Sequence, residues 1–327
     1  MKTAVETHLT EMYWTWPPDR HLTIYKTLNQ FRHLLSKRAI RNDISRNGIP
    51  IYPWMLKTRT EIEHWVQQVE KRRLPPQTNT DSRPYQPFHV NRDLSVDWIG
   101  DVVITRQDVV PVLVSPNSLS CLYVWNNNSN ELFQSYQQTS PISDQIPFEQ
   151  KQIKQGNALP VNFRIVTGNF YCIDVGLTSL VNVPRVVGRS FNCQCNKIDS
   201  LNDGPIVVGT DYLCHDNPIT SLKNIHKSIK AINRDFSIPQ SITSNIIGTM
   251  KINNLKRIMI NNIDNMSGNL IPSYMTSPFS SLAAFGISNI KLERAVSIIN
   301  NHLHSERNIH QCQHELIELG LVAYANL

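Results

Sequence analysis

The chain has 327 residues, 40% of them hydrophobic and 18% charged, with a formal net charge of +6. That length allows one large domain with extensions or two ordinary ones, and the apolar content supplies a core, which excludes a wholly disordered chain. Residues 1–92 hold 15 Lys+Arg against 8 Asp+Glu, the remainder 17 against 18, an asymmetry that points to a polyanion or to a solvated basic face.

Met1 to Asp19 carries Glu6, Glu11 and Asp19 and no apolar run, so no secretory signal is expected. No stretch approaches the roughly 18 apolar residues of a membrane-spanning helix. Six cysteines in such a chain fit a reduced, intracellular protein. From Asp19 to Arg46 the pattern is an amphipathic helix. Ile24, Leu28, Phe31 and Leu35 mark its apolar stripe, and Lys26, His33, Lys37 and Arg41 lie opposite. A second helix is predicted over Thr58–Arg73, with Thr60 and Glu63 spaced as a capping box. Leu74 to Phe88, with Pro75, Pro76, Pro84 and Pro87, reads as a linker.

Short apolar runs then predict strands at 101–106, 109–114, 119–125, 161–166, 170–177 and 206–213. Leu222, Ile225, Ile229 and Ile232 recur at helical spacing over Ser221–Phe236. Ile246 to Asn262 returns to strand-like runs, and two helices close the chain at Asn289–Leu303 and Ser305–Leu321. No internal repeat of the solenoid kind is evident. The expected fold is therefore α+β: a β-rich, jelly-roll-like and mostly antiparallel core between N- and C-terminal helices. The corresponding division is a basic helical region 1–75, a Pro-rich linker 76–92, a core 93–265 and a helical region 266–327.

Complete catalytic and phosphate-loop motifs are missing from the sequence, so no enzyme activity, cofactor or metal is expected. Cys193, Cys195, Cys214 and His215 have a poor zinc spacing, because neighbouring side chains of a strand face opposite ways. His302, His304, His310, Cys312 and His314 form a denser group, but no His-Glu-x-x-His signature completes it. Lys26, Lys37, Arg38 and Arg41 are the candidate nucleic-acid contacts, placed to follow phosphates without reading bases.

The order of elements over 160–262 resembles the core of the 30K superfamily of plant-virus movement proteins. Phe170 to Asp174 has the form of that family's apolar strand ending in Asp, and Gly248 stands where its downstream glycine is sought. The resemblance implies nucleic-acid binding without sequence specificity, self-association, contact with host membrane surfaces, and transport through plasmodesmata from the host cytoplasm; the basic N-terminal helix makes a single strand the expected nucleic acid. A viral matrix or capsid-like protein with a basic arm, and an enzyme with an unfamiliar site, are the competing readings.

Overall fold

The computed structural model describes residues 26, 30, 55–71, 87–114, 122–124, 154–260, 289–304 and 308–327. The first element with described bounds is helix α1 (Arg59–Lys71). Its capping box lies two residues earlier than the predicted one. The Glu61 amide donates to Thr58 Oγ1, and the Thr58 amide donates to Glu61 Oε2 at 3.0 Å.

The centre is a parallel β-solenoid of about four turns rather than an antiparallel jelly roll. A hairpin of β1 (Phe88–Val90) and β2 (Val96–Trp98) starts it, and β3 (Val102–Val103) completes the first coil. The following coils each contribute one short strand to each of two sheets. The pairs are β7 (Phe163–Val166) and β8 (Phe170–Tyr171), β9 (Val186–Val187) and β10 (Phe191–Asn192), then β11 (Val207–Val208) and β12 (Tyr212–Leu213). After helix α2 (Ile225–Ser228) come β13 (Ala231–Ile232) and β14 (Asp235–Ile238), and β15 (Arg257–Ile260) ends the stack. One sheet runs β1-β2-β7-β9-β11-β13, the other β15-β14-β12-β10-β8-β3. Apart from the β1–β2 hairpin, every pairing within them is parallel.

The α+β label therefore fits only in part, and the antiparallel core is corrected. So is the absence of a repeat. In-register partners Phe170, Phe191, Tyr212, Phe236 and Ile258 stand 21, 21, 24 and 22 residues apart. Val102 precedes Phe170 by 68 residues, because an insertion separates the first two coils. It carries an antiparallel sheet of β4 (Val110–Val114), β5 (Leu122–Val124) and β6 (Lys154–Ala158).

The repeat has a physical reading. Each coil places one large side chain in an interior column, where Phe170 and Phe191 stack at 5.8 Å and the pairs Phe191–Tyr212 and Tyr212–Phe236 meet edge-on at 5.0 Å and 5.4 Å. Two residues further on, Ile104, Cys172, Cys193, Cys214 and Ile238 form a second interior column, all essentially inaccessible. The helical spacing of Leu222, Ile225, Ile229 and Ile232 also reflects solenoid burial. Only residues 225–228 are helical, and the long predicted helix 221–236 is corrected. Likewise, Ile247–Lys251 is a 3-10 helix rather than strand.

Asparagines hold the third side. The buried Asn196 side chain accepts from the Val175 and Leu177 amides of the preceding coil, and donates to the Cys172 and Cys193 carbonyls. Asn217, one coil on, accepts from the Ile198 amide and donates to the Cys193 and Cys214 carbonyls. Such bonds satisfy backbone groups that a tight turn would otherwise bury unpaired.

Both ends of the stack are covered, as a solenoid requires. Ile62, Val66 and Val69 of α1 are buried over the first coil, and Trp65 packs edge-on against Phe163. At the far end lie α3 (Ile290–His304) and α4 (Ile309–Glu318). Asn300 of α3 accepts from the Ile258 amide and donates to the Ile258 carbonyl, both at 2.8 Å. One side-chain amide thus stands in for the next strand and blunts the open edge of β15.

Candidate nucleic-acid interface

The corner between the two sheets is a polar column. Asp101 accepts from the Asn169 amide and side chain, and Asn169 Oδ1 accepts from the Ser190 amide. Ser190 bonds Thr210 and Asp211, Arg234 clamps Asp211, and Arg257 donates to Asp235. Each coil thereby grips the one before it. Toward the C-terminal end, the column changes from neutral and acidic to basic.

That change is part of a larger one. Residues 221–260 hold seven basic side chains and one acidic one, while the rest of 93–327 holds ten against seventeen. Lys223, Lys227 and Lys251 surround α2 and the following 3-10 helix, and Lys256 stands at the corner; all four are exposed. Among the described residues none of these four is in an ion pair. Lys230 donates to the His226 carbonyl at 3.1 Å. Arg234 and Arg257 keep 58% and 55% of their side chains exposed while paired with Asp211 and Asp235.

The density of positive charge is visible in His226. Burial, and then the Lys251, Lys227 and Lys230 ammonium groups, hold its imidazole below the usual range. Here the last two coils and the end of α3 border a shallow, open cleft of about 510 Å³. Asn233, Asn254, Leu255, Lys256, Leu303 and His304 line it.

Lys26 is helical and exposed, whereas Lys37, Arg38 and Arg41 lie outside the described residues. Asp174 occupies the left-handed region (φ 51°) at the corner after β8, and takes two 2.8 Å bonds from Arg106. Gly248 sits in the 3-10 helix three coils away, with no positive φ, where an added Cβ would meet His226 Nδ1 at 3.4 Å.

Cys193 and Cys214 point into the core and Cys195 points out. His215 Nδ1 meets Ser237 Oγ at 2.9 Å, so the four do not converge. Among the described residues, no group of three or more His, Cys, Asp or Glu is placed to hold a metal ion. His302 pairs with Glu315 between α3 and α4, and His314 with Glu318. Among the described residues no helix is long and apolar enough to cross a membrane.

Fold and surface together define a capped parallel β-solenoid with positive charge concentrated on its C-terminal coils. Comparison with protein-family models, with curated proteins and with solved structures found no match. The sequence signal for the basic face was the run of Lys223, Lys227, Lys230, Arg234, Lys251, Lys256 and Arg257. Dividing the chain at residue 92 averages it against the acidic residues around it.

Proposed function

We propose that this protein is a binding scaffold that engages nucleic acid through its phosphate backbone, on the basic face of the last solenoid coils. The observation that carries the reading is the ratio of seven basic residues to one acidic over 221–260, with four exposed lysines outside any ion pair among the described residues. Unpaired ammonium groups on a rigid frame repel one another, and a polyanion relieves that repulsion by releasing its own counterions. Stacked coils repeat at about 4.8 Å, so the cations form a short, fixed array rather than a floppy tail. The basic N-terminal segment with Lys26, Lys37, Arg38 and Arg41 supplies a second arm in this reading. Transport of the bound nucleic acid between cells, implied by the movement-protein resemblance, is compatible with such a carrier.

A salt titration of oligonucleotide binding tests the proposal. Replacing Lys223, Lys227, Lys251 and Lys256 by Gln should flatten the log–log slope by about three, at about 0.7 per phosphate on a single strand. The corresponding change at Lys26, Lys37, Arg38 and Arg41 measures the second arm separately. Wild-type affinity and slope retained in the first variant would remove the solenoid face from the interaction. Binding to anionic vesicles but to no oligonucleotide would replace nucleic acid by a membrane surface.

A further inference from the structure

The cleft between the last coils and α3 has features that a phosphate-following surface does not need. Its volume, about 510 Å³, falls in the range of about 300–1,000 Å³ usual for small-ligand sites. In its lining Asn254 Nδ2 donates to Asn233 Oδ1 at 2.9 Å. That bond leaves one amide oxygen and three amide N–H groups of the pair unused. Exchanging O and N in both side chains leaves the same combination, so the pair offers a donor beside an acceptor either way.

Leu255 and Leu303 supply apolar wall, and Lys256 stands at the rim. The other end of the cleft is the C-terminus of α3, where the last carbonyls of a helix carry its negative pole. That pole disfavours a phosphate inside and favours a neutral, flat group with N–H donors.

We propose that this cleft receives one unpaired base of a single nucleic-acid strand, its edge on the Asn233–Asn254 pair and its neighbouring phosphates on Arg234, Lys256 and Arg257. The inference rests on the backbone-binding reading and sharpens it. A duplex keeps its base edges paired and stacked, and reaches such a cleft only by extruding a base at an energetic cost. A single strand pays no such cost. Asn side chains that offer a donor beside an acceptor match the amino and ring-nitrogen edge of adenine, which makes adenine the base expected to bind best.

The test is fluorescence anisotropy on the full chain with four probes of equal length: oligo(dA), oligo(dT), an abasic strand and a DNA duplex. Oligo(dA) should bind roughly fivefold or more tightly than the abasic strand, the lower end of what a good amide–base contact gives. Asn233→Ala and Asn254→Ala should erase that margin while leaving abasic-strand affinity and its salt slope unchanged; thermal melts check that both variants fold. Asn254→Asp, which keeps the shape and changes the donor, should also lose the preference.

Equal affinity for abasic and base-bearing strands would overturn the cleft assignment and leave backbone binding standing. A retained margin in both Ala variants would do the same. Failure of every probe to bind at low salt would overturn both.

Discussion

Asn196→Ala removes a side chain that serves two coils at once. It accepts from the Val175 amide at 3.1 Å and the Leu177 amide at 3.0 Å, and donates to three carbonyls, those of Cys172, Cys193 and Gln194. The site is 7% exposed. Alanine leaves two backbone N–H groups there without an acceptor. Each such group costs about 1–3 kcal/mol, so a loss of about 3 kcal/mol is a conservative expectation. At roughly 2–4 °C per kcal/mol for a domain of this size, the melting temperature should drop by about 6–12 °C.

The assay is thermal unfolding followed by circular dichroism, with Lys197→Ala, an exposed neighbour, as control. Asn196→Asp sharpens the test. It keeps the acceptor for both amides but sets a carboxylate oxygen against the Cys172 and Cys193 carbonyls. It should therefore destabilise at neutral pH and recover in part as the carboxyl protonates. A shift below about 2 °C for Asn196→Ala, or an aspartate variant as stable as wild type at pH 7, would show that the asparagine column does not hold the coils together.

Three further outcomes are expected. Tyr212 is fully buried in the aromatic column, and its hydroxyl has no hydrogen-bond partner among the described residues, so Tyr212→Phe should leave the melting temperature unchanged or raise it, since an unsatisfied buried hydroxyl costs about 1–3 kcal/mol. Burial holds His215 below the usual range, and burial with the nearby lysines does the same for His226. The unfolded chain then binds more protons, so stability should be highest above the ordinary histidine pKa of about 6.5 and fall as pH drops below it; His215→Gln and His226→Gln should each reduce the fall seen in melts from pH 7.5 to 5.5. Burial pushes the Cys172, Cys193 and Cys214 thiols up, and burial with Asp216 and Asp174 pushes exposed Cys195 up to about 12. An aromatic disulfide reagent at pH 8 should therefore leave the three core thiols unmodified until denaturant is added, and react with Cys195 more slowly than with a free cysteine.

The elements whose signals are local were legible. Arg59–Lys71 lies in the helix predicted from its capping residues, and Ile290–His304 and Ile309–Glu318 lie in the two predicted closing helices. Short strands around Phe163–Val166 and Tyr212–Leu213 also lie in predicted runs. How the strands pair was not legible, because a two-residue strand carries no alternation that distinguishes parallel from antiparallel neighbours. Ile206–Leu213 read as one strand but is two, β11 and β12, in different sheets with Gly209 between them.

The period is written in Ile165-Val166, Val186-Val187 and Val207-Val208, each followed four residues on by an aromatic ring and then a cysteine. It escapes notice because only three coils keep that wording. The first is cut off by the insertion, and the coil after these three replaces the cysteine by Ile238. The zinc-like group fails for a related reason. Cys193 and Cys214 are the same position in successive coils, and repetition placed them together in the sequence pattern without placing them around an ion.

The same repetition explains how a solenoid can concentrate charge without unfolding. Its coils touch only their neighbours, so a basic coil strains only the contacts to the coils beside it. Two of the seven cations are offset where they stand. Arg234 reaches back to Asp211 and Arg257 to Asp235, each across a single coil step. Those pairs serve stability, since they are part of the column that joins coil to coil. Lys223, Lys227, Lys251 and Lys256 contribute nothing to it. A fold under selection for stability alone has no use for four exposed, like-charged side chains on adjacent coils, where each adds repulsion. They share the C-terminal coils with the cleft that holds the Asn233–Asn254 pair, at the end that Asn300 and α3 close, which is why the binding proposal is placed there.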